Sequence, residues 1–188
     1  MRNTFLKKGV TMPYFSTRDI VAIVICAALW TVLNTTLSPV FWAATHLPFL
    51  CDFLAFASLI LVTWWTRKFG AASLTGLLVT LLTLAFRPGA TQMIGFAVAS
   101  IAFDILTRTV GYRNCLDKPL PTVVGLVSFS TICAGIAGLI TGSLFMNPKP
   151  VITIFAGLHA TGGFIGGITG LILIGALKTR IVTPKGLQ

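Results

Sequence analysis

Few side chains in this sequence could do chemistry, and most of them stand inside or beside long apolar runs. Asp52 sits near the start of one such run. A charge there is costly unless paired or hydrated. It is therefore either a functional contact or half of an ion pair with Arg87, which falls at the same level. Asp104 stands four residues before Arg108 and shares a helical face with Ala97 and Ser100. That spacing suits a structural pair at a membrane interface. The other face of the same run carries Gln92, Phe96, Ala99 and Phe103. An amide above aromatic rings suits a flat ligand with polar edges, although core packing is the commoner explanation for the phenylalanines. His159 lies deep in the last apolar run and is followed by Gly162, Gly163, Gly166 and Gly170 on nearly one face. Small residues let helices approach closely in lipid, so His159 is expected to point into a bundle, as a ligand contact or a structural hydrogen bond. Asn34 shares a face with Ala27 and Trp30. Trp42, His46 and Asn147 fall in expected loops, where they could close over a ligand. The candidate contacts for a bound small molecule are thus Asn34, Trp42, His46, Asp52, Gln92, Phe96, Asn147 and His159.

Other chemistry is missing. There is no phosphate-binding glycine loop, no nucleophile elbow and no H-E-x-x-H motif. Cys26, Cys51, Cys115 and Cys133 form no C-x-x-C pair and have no histidine at zinc-ligand spacing. No metal site, cofactor or catalytic residue is expected, and Cys26 and Cys133 read as small hydrophobes. Four acidic residues are few for a proton-driven pump.

These residues must be positioned by helices in a bilayer. The chain has 188 residues, of which 55% are hydrophobic and 10% charged, with a mean hydropathy of +0.93. Soluble domains carry roughly 25% charged residues, so lipid is the expected solvent. The runs are continuous rather than alternating, which favours helices over a β-barrel. Expected spans are 20–37, 48–65, 71–86, 92–107, 122–145 and 151–177. Ser38-Pro39 is expected to end the first, leaving Val40 to Leu47 as an aromatic loop. Ser16 or Thr17 is the expected cap, with Asp19 in the first turn. Met1 to Thr17 lacks the apolar core of a secretory signal.

The middle of the chain reads as a hairpin. Arg67-Lys68-Phe69-Gly70 precedes it, Arg87-Pro88-Gly89 breaks it and Arg108 closes it. Basic residues decide its orientation. Arg2, Lys7, Lys8, Arg18, Arg67, Lys68, Arg108, Arg113, Lys118, Lys178, Arg180 and Lys185 fall on one side of a six-span bundle. Only Arg87 and Lys149 fall on the other. The positive-inside rule then places both termini in the cytoplasm. A net charge of +10 read this way calls for membrane lipid as surroundings, and scattered basic residues fit nucleic acid poorly. The expected fold is an all-α integral membrane protein, one six-helix domain.

Six short helices with both termini inside, a small-residue face on the first helix and a polar outer half resemble the substrate-binding S components of energy-coupling factor (ECF) transporters. Lys68-Phe69-Gly70-Ala71-Ala72, Arg87-Pro88-Gly89 and Gly95 to Asp104 are similar to the middle of such proteins, in particular the branch associated with thiamine or its hydroxymethylpyrimidine precursor. The resemblance implies a plasma-membrane subunit that captures a vitamin-like metabolite outside. It implies docking on a transmembrane T component driven by two cytoplasmic ATPases, which would carry the only enzymatic activity. It also implies docking through small residues four apart on the first helix. Ala22 and Cys26 have that spacing, with cysteine where alanine is usual. Acidic residues of pyrimidine-binding relatives have no clear match in the third span. Two other readings stand beside this one: a standalone channel or facilitator, and a membrane enzyme or assembly factor built around His159 and Asp52.

Overall fold

The computed structural model describes residues 14–145 and 149–180. Among these the chain is helical throughout. Seven helices run α1 Thr17–Thr45, α2 Phe49–Thr66, α3 Ala71–Phe86, α4 Met93–Val110, α5 Tyr112–Asp117, α6 Pro119–Phe145 and α7 Lys149–Arg180. Helices α1, α2, α4, α6 and α7 are long and apolar enough to cross a membrane, and α3 is a shorter apolar helix. The protein is a helical membrane bundle of six long elements. Its 16-residue α3 is about 24 Å long at 1.5 Å per residue.

Neighbouring helices close a ring in the order α1, α3, α4, α6, α7, α2, with α2 also reaching α3, α4 and α6 across the middle. Helix α2 is therefore the inner element, and Phe56, Leu59, Ile60 and Val62 on it are almost wholly buried. The outer faces are apolar instead: Ile20, Val24, Leu81, Ile105, Val124, Ile132 and Ile172 are exposed. In lipid that belt costs nothing, because the surroundings are as apolar as the side chains.

Helix α1 departs from expectation. It runs through Ser38-Pro39 to Thr45, so Pro39 lies inside it and Val40 to Leu47 is not a loop. The physical reason is the solvent. Proline removes one N–H, whereas stopping the helix at that depth would strand a full turn of carbonyls where no water can reach them. The helix stops at His46, which adopts the left-handed conformation at φ 56° and donates its N–H to the Trp42 carbonyl. At the other end Ser16 and Asp19 make a capping box. The polar segment after Gly111 also departs from a plain loop, since it contains the short α5. Residues 146–148, between the fifth and sixth expected spans, lie outside the described residues, and Lys149 and Pro150 already belong to α7.

Three of the four acidic residues fasten the end of the bundle that carries most of the basic residues. Asp19 takes the Lys68 ammonium at 2.7 Å. Asp117 takes Arg67 in a two-point contact at 2.7 and 2.9 Å. Asp104 does not pair with Arg108. Its Oδ2 accepts from the Gly70 N–H at 2.9 Å, the Ser73 N–H at 3.0 Å and the Ser73 hydroxyl at 2.8 Å. Gly70 has φ +93°, and α3 has no side-chain cap of its own, so its first N–H groups take a carboxylate from α4 instead. Asp104 faces α3 and is buried, while Arg108 is exposed. Asp104→Ala should therefore destabilise the protein by about 2 kcal/mol, the cost of orphaned buried donors. Arg108→Ala should change stability by less than about 0.5 kcal/mol, as for an unpaired surface residue. Equal losses in detergent unfolding of the two variants would refute this assignment.

Candidate solute-binding site

The opposite end of the bundle holds a cavity of about 480 Å³. That lies within the usual range for small-molecule sites. Helix α1 contributes Asn34, Ser38 and Trp42; the start of α2 contributes Cys51. The segment after α3 adds Arg87, and α4 and its approach add Gln92 and Phe96. Helices α6 and α7 supply Thr141, Phe155 and His159. Five long helices and the turn after α3 thus converge on one space.

Five of the candidate contacts, Asn34, Trp42, Gln92, Phe96 and His159, line the cavity. Trp42 does so from α1 rather than from a loop, because that helix continues past Pro39. Asp52 does not line it; it is fully buried and stands behind His159. His46 does not line it either, and stacks edge-on against Trp42 with ring centroids 6.0 Å apart. Asn147 lies outside the described residues. Ser38, Cys51, Arg87, Thr141 and Phe155 also line the cavity, although sequence pattern does not mark them as contacts. Phe155 carries a usable signal, since it precedes His159 by one helical turn. Thr141 carries none: a threonine in an apolar run reads as ordinary helix.

Two polar groups of α1 are fixed by each other. The Ser38 hydroxyl donates to Asn34 Oδ1 at 2.8 Å, and Asn34 Nδ2 lies 3.6 Å from the Met93 sulfur. Continuity of the helix through Ser38 is what brings this i,i+4 pair together. The aromatic groups form a chain. Trp30 meets Phe96 at 6.1 Å, Phe96 meets His159 at 5.9 Å, His159 meets Phe155 at 4.6 Å and Phe155 meets Trp42 at 6.4 Å, mostly edge to face. Such pairs add stability and hold ring orientations. They give the cavity one rigid aromatic wall.

Asp52 and His159 form the deepest polar contact. His159 Nδ1 stands 2.8 Å from Asp52 Oδ2, with both side chains almost wholly buried. The approach lies off the ring N–H axis, so it is a close polar contact rather than an aligned hydrogen bond. This overturns the expected pairing of Asp52 with Arg87, which is exposed and has no ion-pair partner among the described residues. The reason is packing. Gly162 sits where any Cβ would come within 2.8 Å of the Asp52 Cβ. That closeness draws α7 onto the first turn of α2 and delivers His159, one turn earlier, to the carboxylate. The other imidazole nitrogen, Nε2, has no hydrogen-bond partner among the described residues, and neither has the Thr141 hydroxyl.

The expected docking residues lie elsewhere. Ala22 is half-buried, and Cys26 is buried against Ile23, Val62 and Ala71. Both edge a shallow apolar groove between α1, α2 and the end of α7, with Leu61, Trp65 and Leu177. The described residues include no cluster of three or more histidine, cysteine or acidic side chains fit to hold a metal.

Fold and cavity together define a multi-pass helical membrane protein with a solute-sized pocket at the charge-poor end of its bundle. Comparison with protein-family models, curated proteins and solved structures finds no match for the chain.

Proposed function

We propose that this protein is the substrate-binding subunit of an ECF-type importer, which captures a vitamin-like metabolite on the outer side of the plasma membrane. Transport then depends on a T component and two cytoplasmic ATPases. The observation that carries the reading is the cavity of about 480 Å³ lined by Trp42, Phe96, Phe155 and His159 with Asn34 and Gln92 among them. Its aromatic wall and few polar groups suit a small, partly flat molecule. Arg67, Lys68, Arg108, Lys178 and Arg180 crowd the other end, and the positive-inside rule makes that end cytoplasmic. The cavity then opens outward and both termini lie inside.

A facilitator would need a path onward through the bundle. Beneath the cavity the interior is filled by Phe56, Leu59, Ile60 and Phe103, all almost wholly buried. That packing favours capture over conduction. The ligand classes implied by the resemblance, thiamine or its pyrimidine precursor, are the first to try.

The test is native mass spectrometry of the detergent-purified chain, followed by reconstitution of the chain alone in liposomes. A co-purified small molecule that is not released across the bilayer by the chain alone is the expected result. Unaided flux of that molecule, or a preparation that retains no ligand and binds none of a vitamin panel, would remove the importer reading.

A further inference from the structure

We propose that the cavity selects an aromatic solute bearing a carboxylate or similar anionic group, held at the mouth by Arg87, and discriminates against cations. The proposal rests on reading the cavity as the capture site. It departs from thiamine, a cation, among the ligands that the resemblance suggests.

The charge inventory of the cavity is short. Among the described residues Arg87 is the one charged side chain that lines it. It is exposed, and no carboxylate lies in ion-pair contact with it among the described residues. Three of the acids, Asp19, Asp104 and Asp117, are engaged at the far end of the bundle. The fourth, Asp52, has no exposed surface and is shielded by His159. A cationic solute would therefore meet an uncompensated guanidinium and no carboxylate. An anion would meet the guanidinium directly, and guanidinium is suited to two-point contact with a planar carboxylate.

Two further features support an anion. Gln92 and Thr91 bring the start of α4 to the cavity. That helix has no side-chain cap and no acidic residue in its first turn; its first N–H groups donate to the Ala90, Thr91 and Gln92 carbonyls, so what it offers an anion is the field of its positive end rather than free donors. Independently, the His159 Nε2 atom and the Thr141 hydroxyl are buried without partners among the described residues, and both residues line the same cavity. Buried polar atoms are normally satisfied, so these two would accept or donate to polar edges of the solute. The aromatic wall of Trp42, Phe96 and Phe155 supplies the faces for a flat body between the polar groups. Arg87 also closes the C-terminal end of α3, where a cation favours the helix dipole. That role predicts an effect on stability only and none on ligand choice.

The two roles are separated by three probes that share one aromatic body: indole-3-acetate, indole-3-acetamide and tryptamine. Equilibrium dialysis of the detergent-purified chain is expected to give at least about tenfold tighter binding of the acetate than of the acetamide, with tryptamine weakest. That margin is what a single charge-assisted contact contributes. Arg87→Gln should bring acetate and acetamide to equal affinity, and Arg87→Lys should retain part of the preference. Tryptamine binding as tightly as the acetate, or an acetate preference that survives Arg87→Gln, overturns the charge assignment and leaves solute capture standing. No saturable binding of any of the three overturns the aromatic-anion proposal, while the capture reading is decided by the vitamin panel.

Discussion

His159→Ala is expected to destabilise the bundle by about 3–5 kcal/mol, the cost of breaking a buried ionisable pair by removing one partner. Among the described residues His159 is the one ion-pair partner of the Asp52 carboxyl, and Asp52 has no exposed surface. Removing the imidazole leaves that carboxyl at full burial without its polar partner, and it opens the aromatic chain between Phe96 and Phe155. The mechanism makes a sign prediction that simple loss of packing does not. Asp52→Asn should cost about 1 kcal/mol in the parent chain, where it weakens a pair. In the His159→Ala background the same change should stabilise, because it replaces an orphaned buried ionisable group with a neutral amide. The double-mutant cycle is read from unfolding midpoints in mixed detergent–SDS micelles. Additive losses would show that the 2.8 Å contact carries no coupling.

Gly163→Val should cost about 3 kcal/mol, at the upper end of the usual penalty for overfilling a packed interior. A Cβ at this position would overlap the Ala134 side chain and lie 2.5 Å from the Ser130 carbonyl oxygen. The carbonyl belongs to the backbone of α6 and cannot swing aside, so α6 and α7 must separate. That movement would also shift His159, one turn away on α7, relative to the cavity. Gly157 is the control on the same helix, with nothing within 4 Å of its added Cβ. Gly157→Ala should be neutral or stabilise by about 0.5–1 kcal/mol through helix propensity. Thermal unfolding of the two variants in one detergent compares them directly. Similar behaviour would mean that the α6 and α7 interface tolerates extra volume.

The glycines illustrate what sequence pattern could and could not resolve. Gly162, Gly163, Gly166 and Gly170 read as one small-residue face. In the bundle they serve two. Gly162, Gly166 and Gly170 lie on α2, against Phe49 and Asp52, Phe53, and Ile60, while Gly163 lies on α6 against Ser130 and Ala134. Residues one apart on a helix point about 100° apart, enough to meet different neighbours when a helix is wedged between two. Which neighbours those are depends on ring order, and nothing in a single run encodes that. The same limit applies to the acids. Asp104 and Arg108 have ideal spacing within one helix, but the N–H groups at the start of α3 and the Ser73 hydroxyl provide three donors to the same oxygen. An exposed charge pair is worth less than those buried bonds.

By itself the sequence determined the class of the molecule. Long apolar runs, few charges and punctuation at Gly70, Arg87-Pro88-Gly89 and Gly111 suffice for a helical membrane bundle, because in lipid each segment must satisfy its own backbone. It also placed Gln92 and Phe96 in the half of the bundle next to the Arg87-Pro88-Gly89 turn, since depth follows from counting residues along a helix. Tertiary structure decided the rest. It carried α1 past Pro39, bringing Trp42 and Ser38 to the cavity. It put Asp52 behind His159 rather than beside Arg87, and so left Arg87 as the charge at the mouth. Level along the bundle is a one-dimensional property and can be read from the chain. Facing is set by which helices are neighbours and how closely they pack, and that emerges only when all of them are assembled.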